Sequence, residues 1–134
     1  MATQDDVRRI CASLPGATEG QGRFGFSVEV KGRAKGFVWS WAERVQPRMA
    51  RVPNDGVLAV LVPDLTTKEI ILSLDSDAFF TEPHYNGFPA VLVRLEAIAP
   101  EELEGLLIDA WRCKAPPTLV RQYDEVRSIA SSDP

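Results

Sequence analysis

The sequence is poor in residues that hold metals. It has one histidine, His84, and two cysteines, Cys11 and Cys113, near opposite ends of the chain. A closed zinc site takes four soft ligands at close spacing, so no metal or other cofactor is expected. Iron binding by an acidic first helix is disfavoured too, because Asp5 and Asp6 are offset by Arg8 and Arg9. No apolar run is long enough to span a bilayer, which excludes a membrane partner from the reading. Residues Ala2 to Asp6 lack the basic and then apolar regions of a signal peptide. With two isolated cysteines, this points to reduced thiols and a cytoplasmic location. No glycine-rich loop opens a helix, so no phosphate cradle is read. No repeat, linker or compositional break divides the chain, and residues 1–134 are read as one domain.

Positive charge is also short. The net charge of −4 argues against a general nucleic-acid binder, because phosphate attraction supplies most non-specific affinity. The distribution is uneven, however. Seven basic residues (Arg23, Lys31, Arg33, Lys35, Arg44, Arg48, Arg51) meet two acidic ones (Glu29, Glu43) between Arg23 and Arg51, a net of +5 that leaves −9 for the rest. Lys31, Arg33, Lys35, Arg44, Arg48 and Arg51 are therefore the candidate nucleic-acid contacts. The competing reading is edge protection, since exposed Lys and Arg discourage edge-to-edge strand pairing.

What is present is periodicity. Thr3 is a helix N-cap with Asp6 three residues on, and Val7, Ile10, Cys11 and Leu14 recur at helical spacing until Pro15-Gly16. Phe24, Phe26, Val28 and Val30 alternate with polar residues, as do Phe37, Trp39 and Trp41. With a turn over Lys31 to Gly36 they predict a hairpin with a basic tip. An edge strand is expected at Met49 to Val52, a turn at Asn54-Asp55-Gly56 and a central strand at Val57 to Val62. Thr66 and Glu69 fit a capping box for a short helix with Leu65, Ile70, Ile71 and Leu74 inward. Pro100, Glu101 and Glu102 open a later helix whose apolar face is Leu103, Leu106, Leu107, Ala110 and Trp111. Pro116-Pro117 breaks it, and Thr118 to Val126 makes a last helix before a frayed tail. The order predicts a two-layer α+β fold, with an antiparallel sheet of four or five strands packed by the N-terminal helix and the C-terminal helices.

The richest stretch runs from Phe79 to Leu95. Pro83 forces Glu82 extended, Asn86-Gly87 signals a turn, and Ala90 to Leu95 is apolar enough for a buried strand. Val60, Val91 and Val93 are assigned to the core. Trp39, Phe80, His84 and Tyr85 are the candidate pocket. A His beside a Tyr fits an acid/base pair, but it also fits a loop packed on the body, with both ring nitrogens bonding backbone. Catalysis needs further partners and none is recognisable, so no catalytic residue is assigned.

The run Phe79-Phe80-Thr81-Glu82-Pro83-His84-Tyr85-Asn86-Gly87-Phe88-Pro89-Ala90-Val91-Leu92-Val93-Arg94-Leu95 resembles the central motif of the MmcQ/YjbR-like family. Three further pieces fit the family's order over nearly the whole chain. Leu14-Pro15-Gly16-Ala17-Thr18-Glu19 follows the first helix. Val57-Leu58-Ala59-Val60 and Leu65 to Glu69 precede the motif, and Glu102 to Trp111 with Ala115-Pro116 follow it. The resemblance implies a fold similar to the CyaY/frataxin-like proteins. It also implies DNA binding through a hairpin or wing, here weak, and it carries no catalytic residues. The alternative partner is a small molecule or a protein, held without catalysis in the pocket beside Pro83-His84-Tyr85.

Overall fold

Thr3 starts the first helix as its sequence suggests. Its side chain accepts from the Asp6 amide at 3.2 Å and its own amide donates to Asp6 Oδ2 at 2.9 Å, a reciprocal cap that satisfies two orphan donors. Helix α1 (Gln4–Cys11) then buries Val7, Ile10 and Cys11. The computed structural model describes residues 1–43, 52–74 and 76–132. The expected edge strand at Met49 to Val52 lies outside the described residues except for Val52.

Six strands form one antiparallel sheet in the order β1-β2-β3-β4-β6-β5. They are β1 (Ala17–Glu19), β2 (Gly25–Val30), β3 (Arg33–Glu43), β4 (Val52–Leu61), β5 (Phe79–Phe80) and β6 (Ala90–Arg94). The architecture is the expected α+β class with more strands than foreseen. The surplus comes from β1 and β5, which are too short to show periodicity.

Two local readings change. The hairpin turn is only Lys31-Gly32, since Val30 pairs with Arg33. Both turn residues have positive φ, 52° and 79°, as a type I′ turn requires, so Arg33 to Gly36 belong to β3. Asn54-Asp55-Gly56 is no turn between strands but a bulge inside β4. Ser40 pairs with Leu58 and Trp41 already with Asn54, while Asn54 Oδ1 accepts from the Gly56 amide at 2.9 Å. A bulge of this kind re-aims the strand that carries it.

Helix α3 (Pro100–Lys114) crosses β2, β3 and β4 and packs on α1. Trp111 is fully buried there, its Nε1 donating to Pro15 O at 3.0 Å. Helix α4 (Pro117–Ser132) touches the end of α3, with Tyr123 tilted on Trp111 at 5.3 Å and Asp124 paired to Arg112 at 2.7 Å.

The register sorts the two faces of the sheet. Cross-strand partners point the same way. Val38, Val60 and Val91 are successive partners on one face. All are buried, as expected of Val60, Val91 and Val93. Trp39, Ala59, Leu92 and Phe80 are successive partners on the other. That second, aromatic face receives helix α2 (Leu65–Leu72), which contacts β5 and β6. The phase of α2 differs from expectation. Asp64, not Thr66, caps it by accepting from the Thr67 amide at 2.7 Å. The shift turns Lys68 inward and leaves Leu65, Ile70 and Leu74 exposed.

Candidate functional site

The aromatic loop is built by proline, glycine and one lysine. Glu82 is extended and Pro83–Tyr85 makes a single 3-10 turn. Asn86 (φ −63°, ψ 132°) and Gly87 (φ 77°) then form a type II turn, closed by Phe88 N donating to Tyr85 O at 3.1 Å. Only glycine takes that third position without strain. Lys68 holds both ends of the turn, its Nζ donating to Tyr85 O at 2.6 Å and to Phe88 O at 2.8 Å. The lysine is 5% exposed, and burial pushes its pKa down. Sequence reasoning missed this residue. The available signal was the Asp64 cap, which sets the helical phase that carries Lys68 inward beside Ile71 and Leu72.

Against this loop stands Trp39. Its Nε1 donates to the Tyr85 hydroxyl at 3.2 Å, and its ring meets Phe88 at 6.4 Å between centroids. Tyr85 and Phe88 are edge-on at 6.2 Å. Together with Arg23 and His84 they line an open cleft of about 340 Å³. The Arg23 guanidinium is fixed by Nε and Nη2, both donating to the Ser40 carbonyl. The cleft thus offers aromatic walls, one oriented cation and a tyrosine hydroxyl whose proton is free of the Trp39 bond. It can grip a flat, partly apolar group.

Three of the four expected pocket residues, Trp39, His84 and Tyr85, come together here. His84 is exposed, touching Tyr85 edge-on at 5.7 Å. It does not bury its ring nitrogens against backbone as expected, because the tight 3-10 turn points it outward and Lys68 already serves the loop carbonyls. Phe80 lies elsewhere. It packs on Trp41 at 5.4 Å and under the Arg94 guanidinium at 4.0 Å, in a second cleft of about 390 Å³ lined also by Asn54, Gly56, Val57 and Glu96.

Of the basic residues, Lys31, Arg33 and Lys35 are exposed at the hairpin tip. Among the described residues no carboxylate lies within ion-pair distance of them. Arg44, Arg48 and Arg51 lie outside the described residues. Arg33 pairs with Val30 and Lys35 with Val28, and Val28 is buried towards Gly16 and Leu119. The bulge after Lys35 lets Phe37 and Val38 share the helix-covered face, so Trp39 emerges on the opposite one. The basic tip and the aromatic cleft are therefore on different faces of the sheet.

Cys11 is buried and free, and desolvation pushes its thiol up to about 12, which makes it an inert core residue. No group of three or more His, Cys, Asp or Glu side chains among the described residues is placed to hold a metal ion. No helix among them is long and apolar enough to cross a membrane.

No protein-family model matches the chain. In fold it is similar to the crystal structure of Deinococcus radiodurans protein DR2400, with a TM-score of 0.59 and 21% identity over 83% of this chain and 77% of that one. DR2400 carries a DUF419 domain, the MmcQ/YjbR family. In sequence the chain is 36% identical over 129 residues to the uncharacterised proteins Rv2570 of Mycobacterium tuberculosis and Mb2600 of Mycobacterium bovis, covering 92% of this chain and 96% of each relative. On that likeness, the chain belongs to the family of uncharacterised proteins that includes Rv2570 and Mb2600.

Proposed function

We propose that the chain is a non-enzymatic binding module that takes a small, flat, partly apolar molecule in the cleft of Arg23, Trp39, His84, Tyr85 and Phe88. One observation carries the reading: Lys68 spends a buried ammonium on fixing Tyr85 O and Phe88 O, at 2.6 and 2.8 Å. Burying a charge is costly, and among the described residues no carboxylate lies within ion-pair distance of this one. What it gives here is a wall held in one shape before any ligand arrives. Preorganisation of that kind raises affinity by lowering the ordering cost of binding. The motif around Pro83-His84-Tyr85 and the likeness to DR2400 support placing the chain in the MmcQ/YjbR family. The two free cysteines are consistent with a reducing cytoplasm.

A ligand-observed NMR screen of aromatic and heteroaromatic fragments tests the proposal, run on wild type and on Phe88→Ala. Phe88 is 43% exposed, so its removal opens the cleft without emptying the core. Fragments that bind wild type and lose at least about tenfold in affinity to Phe88→Ala are the expected outcome. A screen without such fragments contradicts it.

A second reading, duplex DNA contacted by the hairpin tip, is favoured by Lys31, Arg33 and Lys35 standing exposed without carboxylate partners among the described residues. Contacts of that kind position a protein on phosphates and do not read bases.

A further inference from the structure

The second cleft differs from the first in its unspent donors. Trp41 Nε1 is buried and has no hydrogen-bond partner among the described residues. A buried donor left unpaired costs about 1–3 kcal/mol, and such groups in a native fold call for an explanation. Beside it the Arg94 guanidinium lies over Phe80, 4.0 Å from the ring centroid. Its Nη1 donates to Asp77 O at 2.7 Å, which anchors the group and leaves the rest of the fork unused by any carboxylate among the described residues. Trp41 and Phe80 meet edge to face at 5.4 Å and Val57 supplies an aliphatic wall. The cleft, of about 390 Å³, is within the range for small ligands.

We propose that the cleft of Trp41, Phe80, Val57 and Arg94 is a binding site for a small aromatic monocarboxylate. Its carboxylate accepts from the Trp41 indole N–H and the Arg94 guanidinium, while its ring packs on Phe80 and Val57. The chemistry follows from the lining. The Trp41 indole and the Arg94 guanidinium in the lining are both donors, which suits an acceptor-only group, and an arginine fork matches a carboxylate in geometry. Glu96, exposed at the mouth, repels a second negative charge and so selects against phosphate dianions. This site stands independently of the cleft around Trp39.

The test is a titration of the full chain with phenylacetate, followed by the Trp41 indole N–H and Val57 methyl resonances. Inorganic phosphate and benzyl alcohol serve as controls for charge and ring. Phenylacetate is expected to saturate at or below about 1 mM, within reach of a ligand of this size, with the Trp41 N–H moving downfield. Trp41→Phe keeps a ring and removes only the donor side of the site. It should weaken phenylacetate about tenfold or more, read on the Val57 methyls. Glu96→Gln removes the repulsion at the mouth and should tighten binding by about twofold, a gain that no folding defect imitates. The proposal is overturned if phenylacetate gives no saturable shift up to about 10 mM. It is equally overturned if Trp41→Phe binds as wild type does, or if phosphate or benzyl alcohol competes as well as phenylacetate.

Discussion

Lys68 ties two loop carbonyls together, Tyr85 O and Phe88 O. Each also accepts a backbone N–H, from Phe88 and Ala90 respectively, so replacing the lysine removes the tie without stranding either oxygen. Lys68→Met keeps the apolar stem and deletes the ammonium. It should lower stability by about 1.5–3 kcal/mol, the usual worth of hydrogen bonds from a charged donor, and loosen the wall of the Trp39 cleft. Chemical denaturation measures the first effect and amide exchange at Phe88 the second. His84→Ala should change stability by less than about 0.5 kcal/mol, because an exposed ring with only an edge contact to Tyr85 loses little when removed. A larger loss in denaturant would contradict the exposed placement. At this scale the sequence was legible where residue type speaks for itself. Val60, Val91 and Val93 are apolar and are buried. Lys68 was not, because a lysine is normally exposed and nothing in its type announces a carbonyl partner twenty residues on.

Among the elements, the β2–β3 pair depends on the absence of a side chain at Gly25. A Cβ there would come within 2.7 Å of Val38 O and 3.2 Å of Trp39 Cβ. Gly25→Ala must therefore push the strands apart beneath Trp39. The expected loss is about 1–3 kcal/mol in thermal or denaturant unfolding. Helix caps give a pH dependence. Asp6 and Asp64 accept backbone amides at the starts of α1 and α2, and Asp124 pairs with Arg112, and these contacts hold all three below the ordinary 3.8. Carboxylates with a folded pKa below the unfolded one contribute stability that is fully present above about pH 4 and lost as pH falls through the folded values. The melting temperature should thus drop on acidification below pH 4, and Asp64→Asn, which keeps a capping oxygen, should show a shallower drop. Helices α1 and α3 could be read from the sequence because cap, spacing and breaker agree there. The phase of α2 could not. Asp64 and Thr66 both offer a cap, and the choice between them turns the helix by two residues. The strands β1 and β5 owe their existence to their neighbours in the sheet.

In the molecule as a whole, the faces of one sheet carry different surfaces. The basic tip shares a face with Val28 and Val30, and the aromatic clefts lie on the other. If the tip meets DNA, changing Lys31, Arg33 and Lys35 together to Ala should weaken binding alike for all sequences. It should also flatten the slope of log affinity on log salt by up to about three contacts' worth. Wild-type affinity should be no tighter than about 10⁻⁵ M at physiological salt, the non-specific range. The α+β class and the antiparallel sheet were legible from element order. The division of Phe80 from Trp39, His84 and Tyr85 into separate clefts was not, because it depends on strand register and the two bulges beside Phe26 and Ser40.

The most direct test of the binding-module reading is a protein-observed NMR titration that follows the three tryptophan indole N–H signals together with the amides of Lys31 to Lys35. Trp111 donates to Pro15 O in the core and is the internal control. With fragment ligands, Trp39 and the amides of Tyr85 and Phe88 should shift while Trp111 and the hairpin tip stay still. Duplex DNA at physiological salt should move the tip weakly, if at all, and leave Trp39 unmoved. Nanomolar DNA binding at Lys31 to Lys35, with no ligand ever moving Trp39, would contradict the account.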